Sequence, residues 1–183
     1  MGIFDRLKKK KMPTEKELSK SIDEFNYLWN MDIKEIWNIG NMNSFVIAMT
    51  GWVNRKCNYG ENISVLTSEE KTVYIVNCFQ AEVNNGGFDQ FLFNCSGAFV
   101  GDLLYSLNTI GANRTAEIYK EALVNLPHEL PVDDEQRDAL FDELITEDIS
   151  EVFASCDQQF YECHDNLEEL LYQFIVENKG CFV

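Results

Sequence analysis

The sequence lacks a hydrophobic run of the length that a membrane-spanning helix requires. Such a helix needs about 20 consecutive apolar residues, and no stretch of the 183 residues approaches that length. The first basic residues are not followed by the apolar segment that is typical of a signal peptide. We therefore expect a cytoplasmic protein without firm membrane association.

Proline and paired cysteines are also scarce. The chain has three prolines, which suits helices, and six cysteines without a C-x-x-C pair. In a cytoplasmic protein such cysteines are expected to be reduced thiols that pack as small hydrophobes. Cys156, Cys163, His164 and Cys181 could in principle assemble a zinc site, but their spacing matches no zinc module. We therefore predict no cofactor, and neither disulfides nor bound metal at Cys57, Cys78, Cys95, Cys156 and Cys163.

Groups that carry catalysis are sparse as well. The only two histidines, His128 and His164, are read as ordinary surface or turn residues rather than as catalytic bases. The sequence contains no P-loop, dinucleotide-binding, zinc-protease or EF-hand motif. Paired carboxylates are abundant, but an acidic surface supplies them by chance, so they do not identify a glycosidase. We expect a protein that is not an enzyme, without catalytic or metal-binding residues.

Acidic residues are plentiful, and they are unevenly distributed. The chain has 31 acidic and 15 basic residues, a net charge of −16. Residues 1–11 carry a charge of +4, residues 12–126 carry −6 and residues 127–183 carry −14. A surface this acidic repels nucleic acid and attracts basic proteins. We therefore expect a basic protein partner and no direct binding of nucleic acid, and we interpret the basic residues 1–12 as a flexible tail.

Apolar residues recur at helical spacing along most of the remaining chain. Capping boxes at Thr14–Glu17 and Thr67–Glu70 mark two helix starts, and Ser44 is expected to cap a helix between them. No internal repeat and no strand-like alternation is visible. The sequence predicts a single all-α domain over residues 13–183, a helical array of about eight to ten helices.

The segment Gln80–Asn94 predicts a helix that stops and restarts. Asn84-Asn-Gly-Gly87 breaks it, because Asn and Gly tolerate positive φ, and a short helix follows. Polar side chains nearby are expected to satisfy the backbone groups at the break, and a small polar pocket is the alternative. The residues of this motif are Gln80, Asn84, Asn85, Gly86, Gly87, Gln90 and Asn94.

The acidic residues after residue 132 have a helical arrangement. Asp134, Asp138 and Asp142 recur every four residues, a ridge with carboxylates about 6 Å apart. Like charges at this spacing destabilise a helix slightly, so either a basic partner uses the ridge or a well-packed fold tolerates it. Arg137 is the only basic residue nearby. The predicted partner-binding residues are Asp134, Glu135, Asp138, Asp142, Glu143, Glu147, Asp148 and Glu151.

Apolar positions from Ile149 to Phe174 recur at spacings of four and three. This pattern predicts either one long helix or two helices that are broken near Asp165. We favour the break, because Asp165-Asn-Leu-Glu168 resembles the start of a new helix.

Five segments carry a family resemblance: Gln80–Asn94 with Ser96–Gly97, Leu107–Ala112, Glu121–Leu123, Phe160–Tyr161 and Asp165–Leu171. Together they resemble a bacterial family of uncharacterised helical domains that includes a double-stranded-DNA mimic protein. The resemblance covers residues 67–178. It implies an all-α fold and, for at least one member, carboxylates that occupy the DNA site of a DNA-binding protein. DNA-binding surfaces owe much of their affinity to contacts of Lys and Arg with phosphate.

These observations lead to a hypothesis and its alternatives. We expect an acidic binding protein, a DNA mimic that occupies the basic surface of a DNA-binding protein. An immunity or antitoxin-like protein that neutralises a basic toxin would need the same charge. A small-ligand-binding domain, or an enzyme, at the Asn84–Gly87 break is a further interpretation. The sequence does not determine the oligomeric state, and a dimer is compatible with it.

Overall fold

The computed structural model describes residues 13–124, 126–127, 130–144 and 146–183. Within these ranges the chain forms nine α-helices and no strand, so the predicted all-α array and the predicted number of helices are confirmed there. Three 3₁₀ turns lie at Ile63–Val65, Cys95–Phe99 and Lys179–Cys181. The helices are α1 (Glu15–Trp29), α2 (Ile33–Ile36), α3 (Met42–Lys56), α4 (Ser68–Phe93), α5 (Val100–Thr109), α6 (Asn113–Leu123), α7 (Asp134–Leu144), α8 (Glu147–Tyr161) and α9 (Leu167–Glu177).

Two parts of the sequence-based interpretation fall outside this description. The basic tail, residues 1–12, and His128 lie outside the described residues. Among the helices that are described, none is long and apolar enough to cross a membrane.

The helix starts follow from side-chain caps. The Thr14 hydroxyl accepts a hydrogen bond from the amide of Glu17, and the Glu17 carboxylate accepts one from the amide of Thr14. Thr67 and Glu70 repeat this capping box at the start of α4. The cap of α3 is Asn41 rather than the predicted Ser44, because the Asn41 side chain accepts from the amide of Ser44.

Helix α4 is the centre of the fold and packs against α3, α5, α7, α8 and α9. Its residues Val73, Val76, Phe79 and Val83 are fully buried. The ring of Phe79 makes edge-to-face contacts with four other aromatic rings, those of Phe88, Phe91, Tyr119 and Phe160. Such a pair contributes about 0.5–1.5 kcal/mol beyond its buried area, so this cluster joins both parts of α4 to α6 and α8.

Helix α1 packs on α3 through its C-terminal end. A Cβ atom on Gly51 would lie 2.4 Å from the carbonyl oxygen of Trp29, so only glycine allows the two helices to approach this closely. Leu28 is buried, whereas Leu18 and Ile22 remain about half exposed. The N-terminal part of α1 therefore lies on the surface of the described fold.

Helices α8 and α9 are separate, which confirms the predicted break. The cap of α9 lies one residue later than predicted, since the side chain of Asn166 accepts from the amide of Glu169 at 3.3 Å. Asp165 caps a different helix. Its Oδ2 accepts from the amide of Thr115 at 2.8 Å and from the Thr115 hydroxyl at 3.1 Å, and α6 has no side-chain cap at its own Ala112.

Among the described side chains, Cys57, Cys156, Cys163 and Cys181 are free thiols. Cys57 and Cys156 are buried. Burial is the main reason why the pKa of Cys156 is raised to about 11, so this thiol is neutral at pH 7 and packs as a small apolar group. Within the described residues no cluster of His, Cys, Asp or Glu has the arrangement of a metal site. The side chain of Cys95 lies outside the described residues.

Candidate binding surfaces

The predicted partner-binding residues lie on two consecutive helices. Helix α7 buries Arg137 and Phe141 and helix α8 buries Ile149, Phe153 and Cys156, which leaves the acidic positions in solvent. We define the acidic face as Glu135, Asp138, Asp142 and Glu143 on α7 with Glu147, Asp148 and Glu151 on α8, and all seven are exposed. Asp134 begins α7, but its side chain lies outside the described residues.

Arg137 is the only basic residue in the stretch of sequence that carries the acidic face. No Lys or Arg occurs between Arg137 and Lys179. Three ion pairs between described side chains, Lys56–Glu70, Lys71–Asp102 and Arg114–Glu117, lie elsewhere in the fold. The carboxylates of the acidic face therefore keep their charge exposed to solvent.

Arg137 belongs to the core rather than to the surface. Its guanidinium donates to the carbonyl oxygens of Leu92 at 2.9 Å and Asn94 at 2.7 Å, at the C-terminal end of α4. It also donates to the carbonyl oxygens of Pro131 and Val132, each at 3.1 Å. Because the last carbonyls of a helix lack partners within the helix, this buried cation ties α7 to the end of α4.

The position of each acidic residue within its helix determines whether the helix dipole favours its charge. Glu147 and Asp148 lie in the first turn of α8, where a negative charge interacts favourably with the helix dipole. Asp142 and Glu143 lie in the last, C-terminal turn of α7, which has no basic residue. Negative charge is unfavourable there, so helix stability does not account for these two carboxylates.

The central helix breaks at Gly86 and Gly87, as the sequence predicts. Gly87 has a φ of +82°, which glycine adopts without steric cost. At the restart, Asp157 Oδ1 accepts a hydrogen bond of 2.8 Å from the amide of Phe88. A Cβ atom on Gly87 would lie 2.3 Å from the other carboxylate oxygen of Asp157. Glycine is therefore needed here both for its φ and for the space.

Contrary to expectation, Gln90 and Asn94 bond a side chain rather than the backbone at the break. Gln90 Nε2 and Asn94 Nδ2 donate to Glu82 Oε2, at 2.6 and 2.8 Å. The backbone carbonyl of Val83, just before the break, accepts from the hydroxyl of Tyr161 at 2.8 Å. Sequence reasoning missed this role of Glu82 because residues 8 and 12 positions apart lie about 12 and 18 Å apart along a straight helix. Only the break brings them together.

Gln80 and Asn84 line two neighbouring cavities of about 220 Å³ each, which also share Glu168. Thr50 and Asn77 line the first cavity, with the rings of Phe25 and Trp29. Thr115 and Asp165 are part of the lining of the second. We call the two cavities together the amide groove. Asn85, the remaining residue of the motif, is exposed and lines neither cavity.

A comparison with known proteins identifies the family of the chain. Residues 64–178 match the model of the DMP19-like protein family. The chain belongs to this family. The DMP19-like segment contains helices α4 to α9, and with them the acidic face and the break, whereas α1 to α3 precede it. No curated protein and no solved structure matches the chain.

Proposed function

We propose that this DMP19-like protein binds a basic protein through its acidic face and acts there as a DNA mimic. In this function its carboxylates occupy the surface that a DNA-binding protein uses for phosphate. The observation that carries the proposal is the position of Asp142 and Glu143, which are exposed and lie where the helix dipole disfavours them. The role is binding rather than catalysis.

The physical basis of the proposal is charge recognition. Asp138 and Asp142 are one helical turn apart, so their Cβ atoms lie about 6 Å from each other, and both side chains are exposed. A row of exposed carboxylates resembles a row of phosphates to the Lys and Arg side chains that supply most non-specific affinity for DNA. Complementary charge also accelerates the encounter of the two proteins.

Affinity capture tests the proposal. The immobilised full-length protein is incubated with a lysate of the organism that encodes it, and bound proteins are eluted with rising salt. We expect basic proteins to elute as salt rises, because exposed charges are screened beyond about 10 Å at 0.1 M ionic strength. The variant Asp138→Asn/Asp142→Asn should capture much less of them.

A matched control separates the acidic face from acidity in general. Asp23→Asn/Glu24→Gln removes the same charge from two exposed positions of α1, and it should capture as much as the wild type. Equal loss in both variants, or loss in neither, would contradict the proposal. Elution by double-stranded DNA supports mimicry, whereas a captured toxin that DNA does not release would support the antitoxin-like alternative.

A further inference from the structure

The amide groove is lined by a buried hydroxyl group, that of Thr50, which lacks a hydrogen-bond partner among the described residues. Thr50 is 3% exposed, and a buried hydroxyl without a partner costs about 1–3 kcal/mol. Thr50 lines the same cavity as the amides of Asn77 and Gln80, so a ligand in that cavity would give this hydroxyl its missing partner.

The charge of the groove favours a cation. Glu168 lines both cavities and Asp165 lines the second, and none of the described lining residues is Lys, Arg or His. The carboxylate of Asp165 already accepts from Thr115. Glu168 is therefore the acid that both cavities share, surrounded by amide and hydroxyl oxygens that can accept further hydrogen bonds.

The aromatic wall of the groove favours the same class of ligand. Phe25 and Trp29 stack on each other, with ring centroids 5.3 Å apart, and both line the first cavity. The two other tryptophans each hold a lysine ammonium over the ring, Lys56 over Trp52 at 4.9 Å and Lys179 over Trp37 at 4.6 Å. Among the described residues no cation lies over Trp29, the tryptophan of the groove.

We propose that the amide groove binds an organic cation, a guanidinium or an alkylammonium group. Glu168 neutralises the charge, Trp29 contributes a cation–π contact, and the side-chain oxygens of Thr50, Asn77 and Gln80 accept the N–H groups. This inference does not rest on the proposed function, because no residue of the acidic face lines the groove.

The size of the groove limits the ligand. Pockets for drug-sized molecules measure about 300–1,000 Å³, and each cavity here measures about 220 Å³. The groove therefore suits one cationic head group with a short stem. This chemistry has two sources, a free amine or guanidine and the Arg or Lys side chain of a bound polypeptide.

NMR titration of the full chain tests the proposal. The probes are agmatine, as a free guanidinium compound, and a short arginine-containing peptide, and the signals are the side-chain amides of Asn77, Gln80 and Asn84. We expect saturable shifts with at least one probe. Glu168→Gln should weaken that binding about tenfold and Thr50→Val about fivefold, as expected for one charge-assisted and one neutral hydrogen bond.

Control variants decide among the outcomes. Glu177→Gln removes the same charge at the far end of α9 and should bind like the wild type, as should Asp138→Asn/Asp142→Asn. Saturation by agmatine assigns the groove to a free cation, and saturation by the peptide alone assigns it to a polypeptide side chain. The proposal is overturned if neither probe saturates, or if Glu177→Gln weakens binding as much as Glu168→Gln. A melting curve for each variant verifies that it is folded.

Discussion

The carboxylate of Asp157 accepts a hydrogen bond of 2.8 Å from the amide of Phe88, which lies 69 residues earlier in the chain. This contact gives the restarted half of α4 the cap that local sequence does not provide. Asp165 forms the same kind of contact with Thr115, 50 residues earlier. Two helix starts are thus capped by carboxylates from the region of α8 and α9, which ties the central helices to the acidic C-terminal part.

The first prediction concerns the cap at Phe88. Replacing Asp157 by Ala should lower the free energy of unfolding by about 1 kcal/mol, as for other lost N-caps. Asp157→Asn should cost much less, because the amide oxygen can accept the same bond and because burial raises the pKa of Asp157, so its charge is unfavourable. Urea denaturation of both variants measures the difference. Equal losses would contradict a capping role.

The second prediction concerns the break in α4. Gly87→Ala should destabilise the protein by more than about 1 kcal/mol, because alanine disfavours positive φ and its Cβ would meet Asp157. Gly101→Ala is the matched control. A Cβ there meets nothing within 4 Å, and alanine favours the helix by up to about 1 kcal/mol. Thermal melts of both variants should therefore shift in opposite directions, and a shared direction would argue against this account of the break.

The third prediction separates two neighbouring caps. Asp165→Ala should speed hydrogen exchange of the amides in the first turn of α6, since Asp165 caps Thr115. Asn166→Ala should instead affect the first turn of α9, which Asn166 caps. Native-state hydrogen exchange resolves the two turns. If Asp165→Ala loosened α9 and left α6 unchanged, the assignment of the caps would be reversed.

The fourth prediction concerns pH. Asp89 is exposed, but partial desolvation by its neighbours, and secondly the charge of Asp157, raise its pKa above the ordinary value of 3.8. The folded state then binds the proton of Asp89 more tightly than the unfolded state does. Protonated Asp89 therefore stabilises the fold below its ordinary pKa, and this stabilisation is lost as pH rises through the raised pKa of the folded state. Asp89→Asn should raise Tm at neutral pH and reduce the decline of Tm from about pH 4 to pH 7. An unchanged pH profile would contradict this assignment.

Local signals explain why much of the fold is predictable from sequence. The capping boxes at Thr14 and Thr67 need only residues within one helical turn, and the break needs only Gly86 and Gly87 with their conformational freedom. The exposure of Asp138 and Asp142 also follows from the apolar residue Phe141, which occupies the opposite, buried side of the same helix. Such features depend on short-range chain geometry.

Contacts between distant residues explain what sequence reasoning missed. Neither the pairing of Asp157 with Phe88 nor that of Asp165 with Thr115 leaves a signal in the spacing of residues, because each depends on how α8 packs on α4 and α6. Arg137 was expected beside the acidic ridge, yet its guanidinium is buried against backbone carbonyls. The unpartnered hydroxyl of Thr50 likewise emerges only once α1, α3, α4 and α9 are packed together.

Competition with DNA for one partner tests the central claim most directly. A DNA-binding protein obtained by affinity capture is purified and bound to labelled double-stranded DNA, and fluorescence anisotropy follows the release of the DNA as this protein is added. We predict complete displacement that weakens as salt rises, and at least about tenfold weaker displacement by Asp138→Asn/Asp142→Asn, since several close charge contacts are lost. Formation of a ternary complex that leaves the DNA bound, or equal displacement by the variant, would contradict DNA mimicry by the acidic face.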